Sequence, residues 1–262
     1  MKAKLVGLSL LLFSFASFGD VLVDFNTPGT LTSQFNGQAG GSKIIESPDE
    51  GLGGTGAVNL NNAGNPQIEI YNQQSYAGNL SSWKVGAYVE LIGNEVRNFS
   101  LGLVNNTAAF VNGAYNGGYV QPSSDWRSIG ISVNRFGDLR MYSNNQLLSS
   151  INLGVLASID NPSWLYVEAA GGVDASGFNL SAGIFQSDSL GNKGNMIGSP
   201  LAVSGISNPD LLNTPAAYFF FGADNQSARA LDNFQITVPE PSSFPLVCFF
   251  AFVHVIFRNR KR

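Results

Sequence analysis

An all-β, antiparallel two-sheet β-sandwich is the fold class this sequence predicts, and three observations predict it. Short apolar strips recur about every 10–15 residues between 20 and 237, and several alternate with a period of two. Turns rich in glycine and asparagine separate them; the 262 residues hold 30 glycines and 27 asparagines. No window sustains the 3.6-residue period of a packed helix.

The elements follow in chain order. Val21-Leu22-Val23-Asp24-Phe25 reads as the opening strand. In Trp83–Leu91, Val85, Ala87, Val89 and Leu91 share one face, and Lys84, Tyr88 and Glu90 the other. Phe99, Leu101 and Leu103 alternate with Asn98, Ser100 and Gly102. Ile129, Ile131 and Val133 alternate with Ser128, Gly130 and Ser132. Leu231 to Ile236 closes the domain, with Phe234 and Ile236 on one face. Gly53-Gly54, Asn116-Gly117-Gly118, Gly137-Asp138, Asn144-Asn145 and Gly171-Gly172 read as turns, because these residues tolerate positive φ. Leu211-Leu212 reads as a single turn of helix. Many short strands joined in this way favour two packed antiparallel sheets.

One stretch carries a resemblance. Trp126 to Arg135 leads through Gly137-Asp138 into Leu139-Arg140-Met141-Tyr142-Ser143-Asn144, with a return strand from Gln146. This resembles the core hairpins of concanavalin A-like (laminin-G-like) jelly rolls. The resemblance covers about 60 residues, and it implies that the first and last strands pair side by side. A galactose-binding-like sandwich is the competing assignment. Fold alone leaves function open.

Scarce residues narrow the chemistry. The one cysteine, Cys248, and the one histidine, His254, both lie near the C-terminus. A disulfide framework is excluded. Residues 20–237 therefore hold neither a Ser-His-Asp triad nor a cysteine nucleophile. Glycosidases of such folds use two facing carboxylates, and no compact Glu-x-Asp-x-x-Glu strand is present. Glu90 and Glu95 read as surface charges beside a hairpin, and Asp49-Glu50 as loop charges. Catalytic residues are therefore assigned to none, and the expectation is a protein that is not an enzyme. The 20–238 segment carries eight Lys/Arg against seventeen Asp/Glu, a net −9. Such a surface disfavours nucleic acid, whose phosphates need a basic patch.

Binding is the remaining chemistry. Exposed aromatic faces stack on sugars, so Trp83, Trp126, Trp164, Tyr71, Tyr115 and Tyr119 are candidates. Tyr115-Asn116-Gly117-Gly118-Tyr119 is the preferred ligand platform, because Tyr115 and Tyr119 supply rings and Asn116 an amide. No cofactor and no metal ligand are assigned. The oxygen-rich loop Asp188 to Asn195 keeps calcium open as an ion, though it lacks the EF-hand pattern. Gly51 to Gly56 lacks the Gly-Lys-Ser/Thr ending of a phosphate loop and reads as a flexible loop.

The two ends read as addresses. Lys2 and Lys4, then Leu5 to Phe18, then Ser17 and Gly19 at the −3 and −1 positions, describe a signal peptide over 1–19, cut before Asp20. At the other end, residues 238–262 combine Pro239-Glu240-Pro241, Ser242, an apolar run to Phe257 and the basic tail Arg258, Arg260, Lys261 and Arg262. The run from 242 to 257 spans about 24 Å at about 1.5 Å per residue, short for a core of about 30 Å. The basic end marks a membrane stop with its positive side in the cytoplasm. The prolines remove two donors and stiffen an extended strip around Glu240.

These parts, in this order, resemble a PEP-CTERM sorting signal; an ordinary stop-transfer anchor is the alternative. The resemblance covers about 25 residues. It implies an exosortase as partner, transient anchoring in the inner membrane of a Gram-negative bacterium, and a destination at the outer surface or in an exopolysaccharide or biofilm matrix. The expected function is a non-catalytic structural or carbohydrate-binding sandwich, with a glycan-active hydrolase or lyase as the alternative.

Overall fold

The computed structural model describes residues 18–38, 44–60, 67–92, 98–105, 114–116, 119–121, 127–144, 146–157, 163–224 and 228–239. Residues 1–17 of the predicted leader, Glu240 to Ser242, the apolar run and the basic tail lie outside them, as do Trp126 and Glu95. Among the described residues, no helix is long and apolar enough to cross a membrane.

The first third of the chain holds β1 (Phe18–Val23), α1 (Thr30–Gln34), β2 (Phe35–Gln38), β3 (Ile45–Ser47), β4 (Ala57–Asn59), β5 (Gln67–Tyr71) and β6 (Trp83–Leu91). The middle holds β7 (Phe99–Val104), β8 (Ala114–Asn116), β9 (Tyr119–Gln121), β10 (Ser128–Val133), β11 (Asp138–Ser143) and β12 (Gln146–Asn152). The last third holds β13 (Ser163–Asp174), β14 (Gly177–Ser187), β15 (Lys193–Met196), β16 (Leu201–Ile206), α2 (Pro209–Leu212), β17 (Tyr218–Ala223) and β18 (Ala228–Pro239). The strands predicted at 83–91, 99–103, 129–133 and 231–236 fall within these, and Leu211-Leu212 end α2. The predicted opening strand Val21–Phe25 overruns β1, which ends at Val23, because Phe25 takes a positive φ of 53°.

Two sheets form the sandwich. One has nine strands along β15-β14-β13-β6-β18-β4-β3, with β16 on β14 and β1 on β18. The other has seven, in the order β12-β11-β10-β7-β17-β5-β2. The first and last strands pair, as the jelly-roll resemblance implies, and Thr237 Oγ1 donates to Asp20 Oδ1 at 2.8 Å beside that seam. The β10–β11–β12 meander occupies the stretch that carries the resemblance.

Alternation explains the core. Val85, Ala87, Val89 and Leu91 of β6 face Leu101, Leu103, Ile129 and Ile131 of the opposite sheet in one fully buried cluster. Phe35 sits at its centre, within 5.4–5.9 Å of the rings of Phe25, Tyr71, Phe221 and Phe234. Burial of such rings supplies most of the driving force, about 25 cal/mol per Å² of apolar surface. The seven-stranded sheet is also buried on its other face, where Ile68, Ile70, Val104, Tyr142 and Phe220 form a second cluster. Ser100, Ser128 and Ser132 are buried there as well. The β8–β9 hairpin lies against β5, β7, β10 and β17.

Two expectations from sequence fail for one reason, which is close contact between elements. Gly171-Gly172 is not a turn but lies inside β13. A Cβ on Gly171 would meet Trp83 Cζ2 at 2.6 Å, and one on Gly172 would meet the Ser81 carbonyl oxygen at 2.2 Å. The glycines admit a neighbour rather than reverse the chain. Gly51 to Gly56 is likewise an ordered 3-10 turn rather than a free loop. The buried Asp232 carboxylate takes the Leu52 N–H at 3.1 Å and the Thr55 hydroxyl at 3.2 Å.

Candidate functional site

Strand register builds a row of rings on the outer face of the nine-stranded sheet. Tyr88 of β6 stands opposite Tyr166 of β13, and Tyr166 opposite Phe185 of β14. Ring centroids lie 4.8 Å apart for Tyr88–Tyr166 and 6.1 Å apart for Tyr166–Phe185. The next residue along that face of β13 is Glu168, flanked across the strands by Gly86 and Gly183. A Cβ on Gly86 would fall 2.3 Å from the Tyr166 hydroxyl oxygen. The missing side chain lets Tyr166 lie flat across β6, where its hydroxyl donates to Gln235 Oε1 at 3.2 Å. Burial holds the phenols of Tyr166 and Tyr88 above their ordinary values, aided by Glu168 for Tyr166 and by Asp188 for Tyr88. The rings therefore remain neutral in ordinary buffers.

Charge is placed over this apolar row. Lys193 Nζ lies 3.7 Å from the Phe185 ring centre and 4.5 Å from that of Tyr166. It also pairs with Glu168 Oε2 at 2.8 Å, and Lys84 Nζ reaches the same oxygen at 3.5 Å. Leu52 closes the far end of the row against Tyr88 and Tyr166.

Beside the row, where β13, β14 and β15 begin or end, a cleft of about 580 Å³ opens to solvent. Trp164, Lys193, Asp188, Asn192, Gln186 and Leu156 are among its walls. Trp164 is half-buried and packs against the aromatic row. One indole face with amides, a cation and a carboxylate around it suits a polyhydroxylated ligand.

The residues singled out in the sequence separate here. Trp83 is core, edge-on to Phe219 at 5.7 Å, and Tyr71 packs against Phe35. Neither can stack on a ligand. Tyr115, Asn116 and Tyr119 belong to the β8–β9 hairpin by backbone, and their side chains lie outside the described set. Trp164 is the described tryptophan that reaches solvent. The Tyr88–Tyr166–Phe185 row escaped sequence reading because it needs the register of three strands from separate parts of the chain. Glu90 corrects the expectation of a surface charge. It is buried at 4% exposure and forms an ion pair with Arg229 at 2.6 Å. Burial raises its carboxyl above the usual range, and Arg229 opposes that rise.

The Asp188 loop is an Asx turn. Its carboxylate accepts from the Leu190 and Asn192 backbone N–H groups, both at 2.9 Å, and from the Asn192 side-chain amide at 2.7 Å. Those donors, Asn192 foremost, hold the Asp188 carboxyl below its ordinary value. Oxygens that face N–H donors are poorly set for a cation. Among the described residues, no three Asp, Glu, His or Cys side chains gather as ligands, so no step here is assigned to calcium.

No protein-family model matches the chain, and no curated protein matches it in sequence. Solved structures match in shape. The Ca2+/Man-bound exoplasmic/lumenal domain of VIP36 superposes with a TM-score of 0.53 at 9% identity, over 84% of this chain and 89% of that one. A lectin from Bauhinia forficata in complex with GalNAc gives 0.52 at 8% identity, over 84% and 98%. A legume lectin-like domain from Entamoeba histolytica gives 0.51 at 13% identity, over 84% and 97%. At these identities the likeness is one of fold. The chain is an antiparallel two-sheet sandwich resembling legume lectin-like domains.

Proposed function

We propose that this chain is an exported, non-catalytic glycan-binding protein of the cell surface or extracellular matrix, built on a concanavalin A-like jelly roll. The observation that carries the reading is the cleft beside Trp164. It brings a half-buried indole together with the polar side chains of Gln186 and Asn192, a combination that suits sugar rings and their hydroxyls. The lectins among the neighbours supply an analogy of fold. The hydrolase alternative loses its clearest carboxylate, since Glu90 is buried against Arg229.

Export and anchoring rest on the two ends of the sequence. In this reading the leader is removed before Asp20, and an exosortase processes the tail at Pro239-Glu240-Pro241. Glu240→Ala is expected to leave a membrane-bound, unprocessed chain. Unchanged processing would count against sorting.

A glycan array tests the binding reading. The full chain is expected to retain at least one bacterial or plant polysaccharide, and Trp164→Ala to weaken that binding at least tenfold. Binding that survives Trp164→Ala would move the site elsewhere, and turnover of any polysaccharide would overturn the non-catalytic reading.

A further inference from the structure

The apolar groups of the cleft point to a particular class of glycan, an inference that rests on the glycan-binding reading of the same site. Charge does not select the ligand here. Lys84 and Lys193 both reach Glu168, and the ionised Asp188 balances the second lysine, so these four groups sum to zero. Lys193 is paired with Glu168 at 2.8 Å, and three donors of its own loop occupy Asp188. An entering ligand meets no unmatched charge, which suits a neutral one.

Aliphatic side chains are what the cleft adds to the indole. Leu156 and Ile197 line it, and both are half-buried. Their backbones are pinned: the Leu156 N–H donates to the Arg135 carbonyl at 2.7 Å, and the Ile197 N–H to the Ile184 carbonyl at 2.8 Å. Six large apolar side chains are exposed among the described residues, and three of them adjoin this lining in the chain. Val155 precedes Leu156, Met196 precedes Ile197, and Leu190 lies between Asp188 and Asn192. Val155 is 73% exposed and Leu190 76%. A single exposed apolar residue is ordinary, but a concentration of them around one cleft marks a surface that is covered in use. An unsubstituted sugar brings one apolar ring face, which the indole takes, and hydroxyls elsewhere. It would leave the aliphatic groups wet. An acetyl group supplies a methyl for them, together with a carbonyl able to accept from the exposed Gln186 amide in the same cleft.

We infer that the cleft binds a neutral, acetylated glycan, with a sugar face on Trp164 and acetyl methyl groups covering Leu156, Ile197, Val155 and Leu190. The test has two arms, one for each linkage that carries an acetyl group. The first compares chitopentaose with cellopentaose, which differ in an acetamido group against a hydroxyl. The second compares acetylated glucomannan with the same polymer after mild alkali has removed its esters. Burial of one methyl or methylene group is worth about fourfold in affinity. The full chain is therefore expected to bind the acetylated member of at least one arm at least fourfold tighter than its counterpart. A preference in the first arm alone assigns an acetamido sugar, and in the second alone an O-acetyl ester; either supports the inference. Val155→Ser combined with Leu190→Ser is expected to bring the ratio below about twofold. It should keep the binding of the unacetylated member and leave thermal unfolding unchanged, because both side chains already face water. Equal or better binding of the unacetylated members overturns the acetyl assignment while the glycan reading stands. A preference that the double variant leaves intact overturns it as well. If neither arm binds but another glycan on the array does, the acetyl assignment again fails alone. If nothing binds at all, the glycan reading fails with it.

Discussion

Replacing Glu69 with glutamine is expected to stabilise the protein at pH 8 by about 3 kcal/mol. Glu69 lies on β5 at 4% exposure and points into the sandwich beside Tyr71. Among the described residues its side-chain partner is Gln67, whose Nε2 donates to Glu69 Oε1 at 2.7 Å. Gln67 is itself fixed, because its Oε1 takes the Ile44 N–H at 3.2 Å. Gly37 stands directly across on β2, leaving room for the carboxyl; a Cβ there would lie 2.7 Å from Glu69 Oε1. Desolvation by burial raises the carboxyl from 4.5 to about 7, against a smaller lowering by Gln67.

A carboxyl raised in the folded state binds its proton more tightly there than in the unfolded chain. Its contribution is therefore fully present below about pH 4.5 and is lost as pH rises through about 7. At about 1.4 kcal/mol per pH unit, that span amounts to about 3 kcal/mol. Glutamine keeps the acceptor for Gln67 and carries no charge. Urea unfolding at pH 5, 7 and 8 should show falling stability in the parent chain and a flatter profile in Glu69→Gln. Identical slopes in the two proteins would place the titrating group elsewhere.

Asn208→Ala is expected to cost about 2–3 kcal/mol, the scale for a buried polar hub that loses several partners. Asn208 is 2% exposed and joins α2 to the β10–β11 hairpin. Its amide nitrogen reaches the Ser128 carbonyl at 3.2 Å, Ser143 Oγ at 3.1 Å and Asn144 Oδ1 at 3.2 Å. Its oxygen caps α2 by accepting the Leu211 N–H at 3.2 Å. Alanine removes the amide from the Ser143 hydroxyl and the cap from the Leu211 N–H, while the Ser128 carbonyl keeps the Asn144 N–H at 2.8 Å and Asn144 Oδ1 keeps the Ser128 N–H at 2.9 Å. Thermal unfolding should drop by several degrees, and the Leu211 amide should exchange faster with solvent. A variant as stable as the parent would mean that water replaces the amide at no cost.

The strands were legible because a sheet imposes a period of two on buried side chains, and Val85 to Leu91 or Ile129 to Val133 show it plainly. The pairing of first and last strands followed from the jelly-roll resemblance. What escaped notice depended on contacts between distant segments. Gly171-Gly172 has the composition of a turn, yet Trp83 and Ser81 require those glycines inside a strand. Glu90 has the composition of a surface charge, yet Arg229, on a strand 139 residues later in the chain, takes it into the interior. Trp83 and Trp164 look equivalent in sequence, and only the packing of Phe219 against one of them makes it core. The aromatic row was hidden for the same reason. Tyr88, Tyr166 and Phe185 become neighbours only once β6, β13 and β14 are in register.

Indole N–H resonances test the glycan-binding site most directly. Trp83, Trp126 and Trp164 give three signals, assignable by single Trp→Phe variants. Titrating the full chain with a polysaccharide that it retains on the array should shift and broaden the Trp164 signal while leaving that of buried Trp83 in place. A Trp164 signal that stays fixed while the glycan binds would contradict the assignment of this cleft as the ligand site.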